Sequence, residues 1–410
     1  MAEGGSTKRL LEVAGAFLKL GCIAFGGPAA HVGLMEEEFV RRRRWLSREE
    51  FLDLLGAMNL LPGPNSAEMT IHLGWRRAGW PGLFVGGLAF ILPAALITSA
   101  IAWFYVRFGA LPQGRALLYG VKPTIIAVIA LAVIRLARSA LRGTAAIALA
   151  VAAFAGCAVG LDPLTALLGA GALSLLRARL RRGGIGAASA LAALPPAPLA
   201  AASSAAPASA AGAGSAPAAG ALAAPLAAAA AAAAAPFGLG ALFLFFLKVG
   251  GLLFGSGYVL VAFLRGDLVQ RWHWLTEAQL LDAVAAGQLT PGPLFSTATF
   301  VGYILGGAAG AAAATVAIFL PAFVYVAVSA PLLPKLRRSP AAAAFLDGVN
   351  AAAVALMALV AALLGRAAIV DPFTALLAAA CLVAALRFRV NAAWLVVGGA
   401  LLGLAVQALR

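Results

Sequence analysis

Long apolar runs, cut by short polar or glycine- and proline-rich interruptions, dominate this chain. The first covers 13–34 and is interrupted at Phe25-Gly26-Gly27-Pro28; about 20 apolar residues suffice to cross a bilayer. An amphipathic stretch follows, with Glu36-Glu37-Glu38, Arg41-Arg42-Arg43-Arg44 and then Trp45, and a Trp beside basic residues is typical of the headgroup layer. Ser47 and Glu50 have capping-box spacing, which predicts a helix start. That helix meets Pro62, whose ring and missing N–H break it. A second short arm is predicted over 65–75, and neither arm is long enough to span. Runs at about 80–106, 116–137, 143–160 and 162–176 complete the pattern, with a turn at Gly160-Leu161-Asp162-Pro163.

The pattern then repeats. Pro62-Gly63-Pro64 recurs as Pro291-Gly292-Pro293, an offset of 229 (291 − 62), and the same offset carries Phe17-Leu18-Lys19 onto Phe246-Leu247-Lys248, Trp45 onto Trp274 and Asp53 onto Asp282. One slipped residue later, Gly74, Gly82, Pro93, Gly120 and Arg138 fall on Gly302, Gly310, Pro321, Gly348 and Arg366. The second half has a run over 237–263 broken at Phe254-Gly255-Ser256-Gly257, arms flanking its Pro-Gly-Pro, and runs at about 307–330, 341–364, 371–386 and 391–408. Six segments answer six. Residues 183–236 hold no charged or aromatic residue and read as an Ala/Pro-rich low-complexity linker. The organisation is thus 1–182 first repeat, 183–236 linker, 237–410 second repeat.

With 63% hydrophobic residues, 11% charged residues and a mean hydropathy of +0.98, the chain cannot be divided into a soluble core and a polar surface. It reads as an all-α integral membrane protein. The net charge of +15 would suggest nucleic acid in a soluble chain, but the arginines cluster between apolar runs, where they set topology; no nucleic-acid partner is expected. Cys22, Cys157 and Cys381 lie in apolar runs without metal-ligand spacing, so neither a disulfide framework, a metal nor another cofactor is indicated. The first twelve residues are too polar for a secretory signal, so insertion is expected through the first helix.

Loop charge orients the halves. In the first, Arg41–Arg44, Arg76, Arg77, Arg135, Arg138, Arg142, Arg177, Arg179, Arg181 and Arg182 fall on one set of loops, and the opposite set holds little beyond Arg107 and Arg115. In the second, Ile304-Leu305 replaces Arg76-Arg77, while Lys335, Arg337, Arg338, Arg387 and Arg389 occupy the loops that were poor in the first. Opposed biases on equivalent loops predict an inverted-topology repeat. Inversion needs an odd crossing between the halves, for which the Ala-rich 218–235 segment is the candidate.

Phe25-Gly26-Gly27-Pro28 with His31 downstream, the Arg-rich 39–45 segment ending in Trp-Leu, Leu61-Pro62-Gly63-Pro64, Arg77-Ala78-Gly79-Trp80 and Gly287-Gln288-Leu289-Thr290-Pro291-Gly292-Pro293 together resemble the chromate ion transporter family in its long-chain, two-domain form. The resemblance covers nearly the whole chain except the linker. It implies a multi-pass bacterial inner-membrane exporter of chromate, with sulfate as a close analogue, inverted halves, and drive from protons or the membrane potential. It leaves room for a homodimer. Sulfate or another oxyanion as the substrate, and an anion channel, are the alternatives.

A tetrahedral dianion needs its charge offset without being held permanently. A broken helix supplies free N–H groups and the positive end of a half-helix, and paired breaks in both halves are the sequence pointer to a transporter site. The candidate binding residues are therefore Gly26, Gly27, Pro62, Gly63, Pro64, Asn65 and Ser66, with Gly255, Ser256, Pro291, Gly292, Pro293, Ser296 and Thr297. Lys19 and Lys248 would add one charge from each repeat, since an intramembrane ammonium is costly unless used; the competing reading is that they snorkel to the interface. Glu68, His31 and His72 are the candidates for proton coupling. Lys122 is an asymmetric candidate because its counterpart is Asn350, and Asp53 and Asp282 read as complements to helix dipoles. No HExxH, no GxSxG and no cluster of Asp residues points to an enzyme.

Overall fold

The computed structural model describes residues 2–25, 28–58, 61–109, 111–182, 237–254, 257–329, 339–388 and 390–409. The expectations for Gly26, Gly27, Gly255, Ser256 and the linker crossing lie outside the described residues, as do Lys335, Arg337, Arg338 and Arg389. All regular structure among the described residues is helical. The first half comprises α1 (Ala2–Ile23), α2 (Pro28–Met35) running into a π-helical stretch (Glu36–Arg42), α3 (Arg48–Met58), α4 (Asn65–Phe108), α5 (Pro112–Ala140), α6 (Thr144–Ala158) and α7 (Pro163–Arg182). The second repeats it with α8 (Leu239–Leu252), α9 (Val259–Phe263), a π-helical stretch (Leu264–Arg271), α10 (Glu277–Leu289), α11 (Thr297–Ser329), α12 (Pro340–Ala368), α13 (Pro372–Arg387) and α14 (Ala392–Leu409). Five of these helices are long and apolar enough to cross a bilayer: α4, α5, α11 (with the short turn that leads into it), α12 and α14.

The predicted helix starts and breaks are where the sequence puts them. Ser47 and Glu50 form the reciprocal capping pair, and Thr276 and Gln279 repeat it in the second half. Outside the membrane, the Ser47 backbone N–H and then the Arg76 guanidinium hold the Glu50 carboxyl below its ordinary pKa. Proline breaks follow α3 and α10, with Gly63 and Gly292 at φ +131° and +94°, a region that favours glycine. Within α4 and α11 a glycine turn interrupts the helix, Gly79 at φ 66° and Gly307 at φ 59°. Each turn folds the short arm back on the long one, because Gly74 and Gly82, and likewise Gly302 and Gly310, approach so closely that a Cβ on either would overlap backbone.

Contacts across these breaks show which arms cross and which return. Arg76 pairs with Glu50 at the start of α3, and Arg77 lies 2.6 Å from Glu12 and over the Trp45 ring. The arm after Pro64 thus comes back to the face from which α3 enters. Phe17 packs on Phe39, so α1 and α2 form a second re-entrant hairpin from that face. The interrupted first run therefore turns back at its break. After Gly79 the long arm of α4 has about 43 Å at 1.5 Å per residue, enough to cross. Along it, Phe84 stacks on Phe323, Ala94 abuts Gly292, Thr98 bonds Thr290, and Tyr105 bonds Asp282 near the start of α10. The far end of α4 thus meets the helix by which the second half enters, so the two halves enter from opposite faces and are inverted.

The halves are also interlocked. α6 and α7 of the first pack on α12 of the second, and α13 and α14 of the second pack on α5 of the first. Gly120 lies against Gly399 and Gly403, and its counterpart Gly348 against Ala170, without room for a side chain. The outer faces of α4 and α11 carry matched exposed apolar stripes, Leu88, Leu92 and Leu96 answering Val316, Leu320 and Val324, as a hydrocarbon solvent requires.

Candidate functional site

Breaking a helix leaves donors and acceptors that must be satisfied inside the bilayer. Here each half satisfies the other. The Gly63 N–H donates to the Leu253 carbonyl at 2.8 Å and the Gly292 N–H to the Ala24 carbonyl at 2.9 Å. Gly63 and Gly292, and Ala24 and Leu253, are repeat equivalents, so the bonds form a two-fold pair holding the tips of four re-entrant arms together. His31 is buried among them, with Nε2 3.0 Å from the Ala24 oxygen and Nδ1 3.0 Å from Ser66 Oγ. The Ala24 oxygen can only accept, so Nε2 carries the proton and Nδ1 accepts from the serine.

The tips open on a cavity of about 770 Å³. Gly63, Pro64, Asn65, Ser66 and His31 line it from the first half, and Gly257, Pro293, Leu294 and Phe295 from the second. Residues of both Pro-Gly-Pro breaks thus line one cavity. At the rim stand Arg142 and Arg177 with Ser139, Ser174, Asp347 and Asn350. Neither arginine has an ion-pair or hydrogen-bond partner among the described residues. Two guanidinium groups and one carboxylate, Asp347, above a floor of half-helix N-termini give the cavity a net positive lining.

Other candidates fall elsewhere. Ser296 and Thr297 are buried next to Phe295; Thr297 bonds back to the Leu294 carbonyl, and Ser296 Oγ has no partner among the described residues. Pro62, Pro291 and Gly292 shape the breaks without lining the cavity. Glu68 is wholly buried one turn into the arm that begins at Asn65, close behind Gly63, and neither of its oxygens is hydrogen-bonded among the described residues. His72 follows four residues on, buried beside Trp75.

Lys19 and Lys248 do not line the cavity. Lys19 pairs with Glu38 at 3.1 Å and Lys248 with Asp267 at 3.0 Å, and in both halves the acid lies on the π-helical stretch. The pairs are repeat equivalents, and this geometry favours a clasp that ties each first helix to its returning arm. Lys19→Met leaves Glu38 its bond to Arg43 and should change stability by about 1 kcal/mol or less, whereas Lys248→Met leaves Asp267, only 7% exposed, without its ion pair and should cost more, about 1–3 kcal/mol; transport affinity should be unaltered in both. Thermal unfolding and uptake by the two variants check this; a large loss of affinity would return the lysines to the substrate site.

Asp282 departs from its reading as a dipole complement. It accepts from Tyr105 at 2.9 Å and pairs with Lys122 at 3.6 Å, across the boundary between the halves. Sequence reasoning also passed over Arg142, Arg177 and Asp347. The arginines were legible as loop charge, but nothing in their spacing says that the α5–α6 turn and α7 bring them over the break tips.

Two inverted repeats closing re-entrant hairpins around a charged cavity define a multi-pass membrane protein with the architecture of a transporter. The model of the chromate transporter family matches twice, over residues 11–175 and 240–404, and the chain belongs to that family. It is 33% identical over 393 residues to the chromate transport protein of Cupriavidus metallidurans, covering 95% of this chain and 91% of that one. It is 34% identical over 357 residues to the chromate transport protein of Pseudomonas aeruginosa (83% and 77%), and 32% identical over 363 residues to a probable chromate transport protein of Synechococcus elongatus (87% and 84%). No solved structure matches.

Proposed function

We propose that the cavity is the substrate site of a secondary active carrier that exports chromate across the bacterial inner membrane, coupled to protons or the membrane potential. The observation that carries this reading is that both break tips and two unpaired arginines line one cavity. The tips present backbone N–H groups and Ser66 to the oxyanion, and Arg142 and Arg177 draw it in from the arginine-rich face. By the distribution of loop charge that face is cytoplasmic. Glu68 is the proton-coupling group in this reading: a buried, unbonded carboxylate directly behind the Gly63 tip can exchange a proton as the tip moves, with His31 and His72 beside the route. Tetrahedral shape and charge are shared by sulfate, so selectivity rests on cavity size and on how easily the dianion sheds water.

The test is a panel of chromate, sulfate, molybdate and phosphate with purified protein in liposomes under imposed proton and potential gradients. Saturable, uphill chromate movement identifies a carrier, whereas non-saturating downhill flux identifies a channel. Glu68→Gln should abolish proton-driven accumulation while leaving chromate exchange across the membrane at equal pH. Loss of both at normal protein levels would make Glu68 a packing residue instead.

A further inference from the structure

The two repeats are equivalent in sequence, yet the two faces of the molecule differ. On the arginine-rich face the cavity is open, and Asp347 and Asn350 of α12 stand at its rim with no hydrogen bond or ion pair among the described residues. Their repeat counterparts on α5 are Tyr119 and Lys122, and on the opposite face both are engaged with the other half. Tyr119 donates to Asp371 at the start of α13, and Lys122 pairs with Asp282 of α10 at 3.6 Å. Tyr105 of α4 holds the second oxygen of the same carboxylate at 2.9 Å. Asp282 is nearly wholly buried, its side chain 3% exposed against 24% for Lys122, and the space beside it is only about 130 Å³.

An inverted repeat has two states of similar energy, related by exchanging the conformations of its halves. That exchange closes the present cavity and opens another, in which Tyr119 and Lys122 take the places now held by Asp347 and Asn350. At the offset of 228 Arg142 maps onto Val370, and because Gly399 and Gly403 pack on Gly120 as Ala170 and Ser174 pack on Gly348, α7 maps onto α14 at an offset of 229 and Arg177 onto Val406; the opposite cavity has no arginine at either position. We propose that Lys122 is the substrate-contacting cation of that second cavity and that Asp282, with Tyr105, is the latch that holds Lys122 while the face is shut.

This rests on the reading of the protein as an anion carrier, and it adds an asymmetry to it. The ion meets two unpaired guanidinium groups on one side and, on the other, a single ammonium with a carboxylate in reach to reclaim it. Occupancy by the dianion and closure by Asp282 compete for the same charge. The half-saturating concentration is therefore low on the arginine face and high on the Lys122 face, and relocking of the latch helps the ion leave.

Two measurements on the full chain test it. In liposomes with sorted orientation, sulfate and chromate exchange is measured from each side. Lys122→Gln should raise half-saturation on the Lys122 face about tenfold, the value of one hydrogen bond to a charged group, and change the arginine face less, only as far as loss of the latch shifts the two states; Lys122→Arg should retain more of the affinity. Equal changes on both faces, or none, overturn the assignment of Lys122. Independently of any substrate, Ala285, buried beside Asp282, is replaced by Cys in a chain whose Cys22, Cys157 and Cys381 are Ala. A membrane-impermeant maleimide applied from the Lys122 face should label it about fivefold faster once Asp282→Asn removes the ion pair with Lys122. An unchanged rate overturns the latch. Faster labelling in a protein that moves none of the panel anions would leave the latch standing and remove the carrier reading.

Discussion

Replacing Arg142 and Arg177 together by Gln is expected to abolish saturable oxyanion transport at micromolar substrate while leaving the protein inserted and folded. Neither guanidinium has a protein partner among the described residues, and both face the cavity, so removing the charges orphans no carboxylate. What is lost is the interaction with the ion. A hydrogen bond to a charged group contributes about 1.5–3 kcal/mol, so each single variant should raise half-saturation roughly tenfold to a hundredfold. The pair should raise it by about 10²–10⁴, provided that the two act independently. Lys at either position should recover part of the loss, since it restores the charge without the planar fork. Concentration-dependent uptake in liposomes measures this directly. Unchanged half-saturation in the double variant would reduce the arginines to topology signals and leave the dianion to the break tips alone.

The second large effect is structural. Gly120→Ala and Gly348→Ala each place a methyl group against the backbone of the other half, at Gly399 and Ala170 respectively. Backbone cannot swing aside as a side chain can, so each change should cost about 1–3 kcal/mol or more. The double variant is expected to lose the interlocked pairs formed by α5 with α14 and α12 with α7, and to run as an aggregate on size exclusion in detergent. Gly169→Ala on α7 is the control, because nothing lies within 4 Å of its added carbon; Ala there should be neutral or stabilising by up to about 1 kcal/mol. If the Gly120 variant unfolds at the same temperature as the control, the close approach of these helices does not hold the halves together.

Much of the fold was legible because its devices are local. Pro-Gly-Pro, the glycine turns and the Ser47 capping pair act within a few residues, and their recurrence at a fixed offset exposed the duplication without any contact being known. Arginine placement carried the inversion as well, since insertion reads charge loop by loop. The lysines show where such reasoning stops. Charge inside an apolar run pointed to function, but Glu38 and Asp267 lie 19 residues further on in stretches that read as interface, and only the turn of each hairpin brings the pairs together.

By itself the sequence determined a membrane protein of two inverted repeats with a helix break at the heart of each, because hydropathy, proline chemistry and loop charge are properties of segments. Only the tertiary structure decided which breaks satisfy one another, that Arg142 and Arg177 line the cavity without a partner among the described residues, and that Lys122 pairs with Asp282 across the two halves. Those outcomes depend on packing between halves separated by more than a hundred residues. A pairwise contact across that distance leaves no mark on the periodicity of either partner.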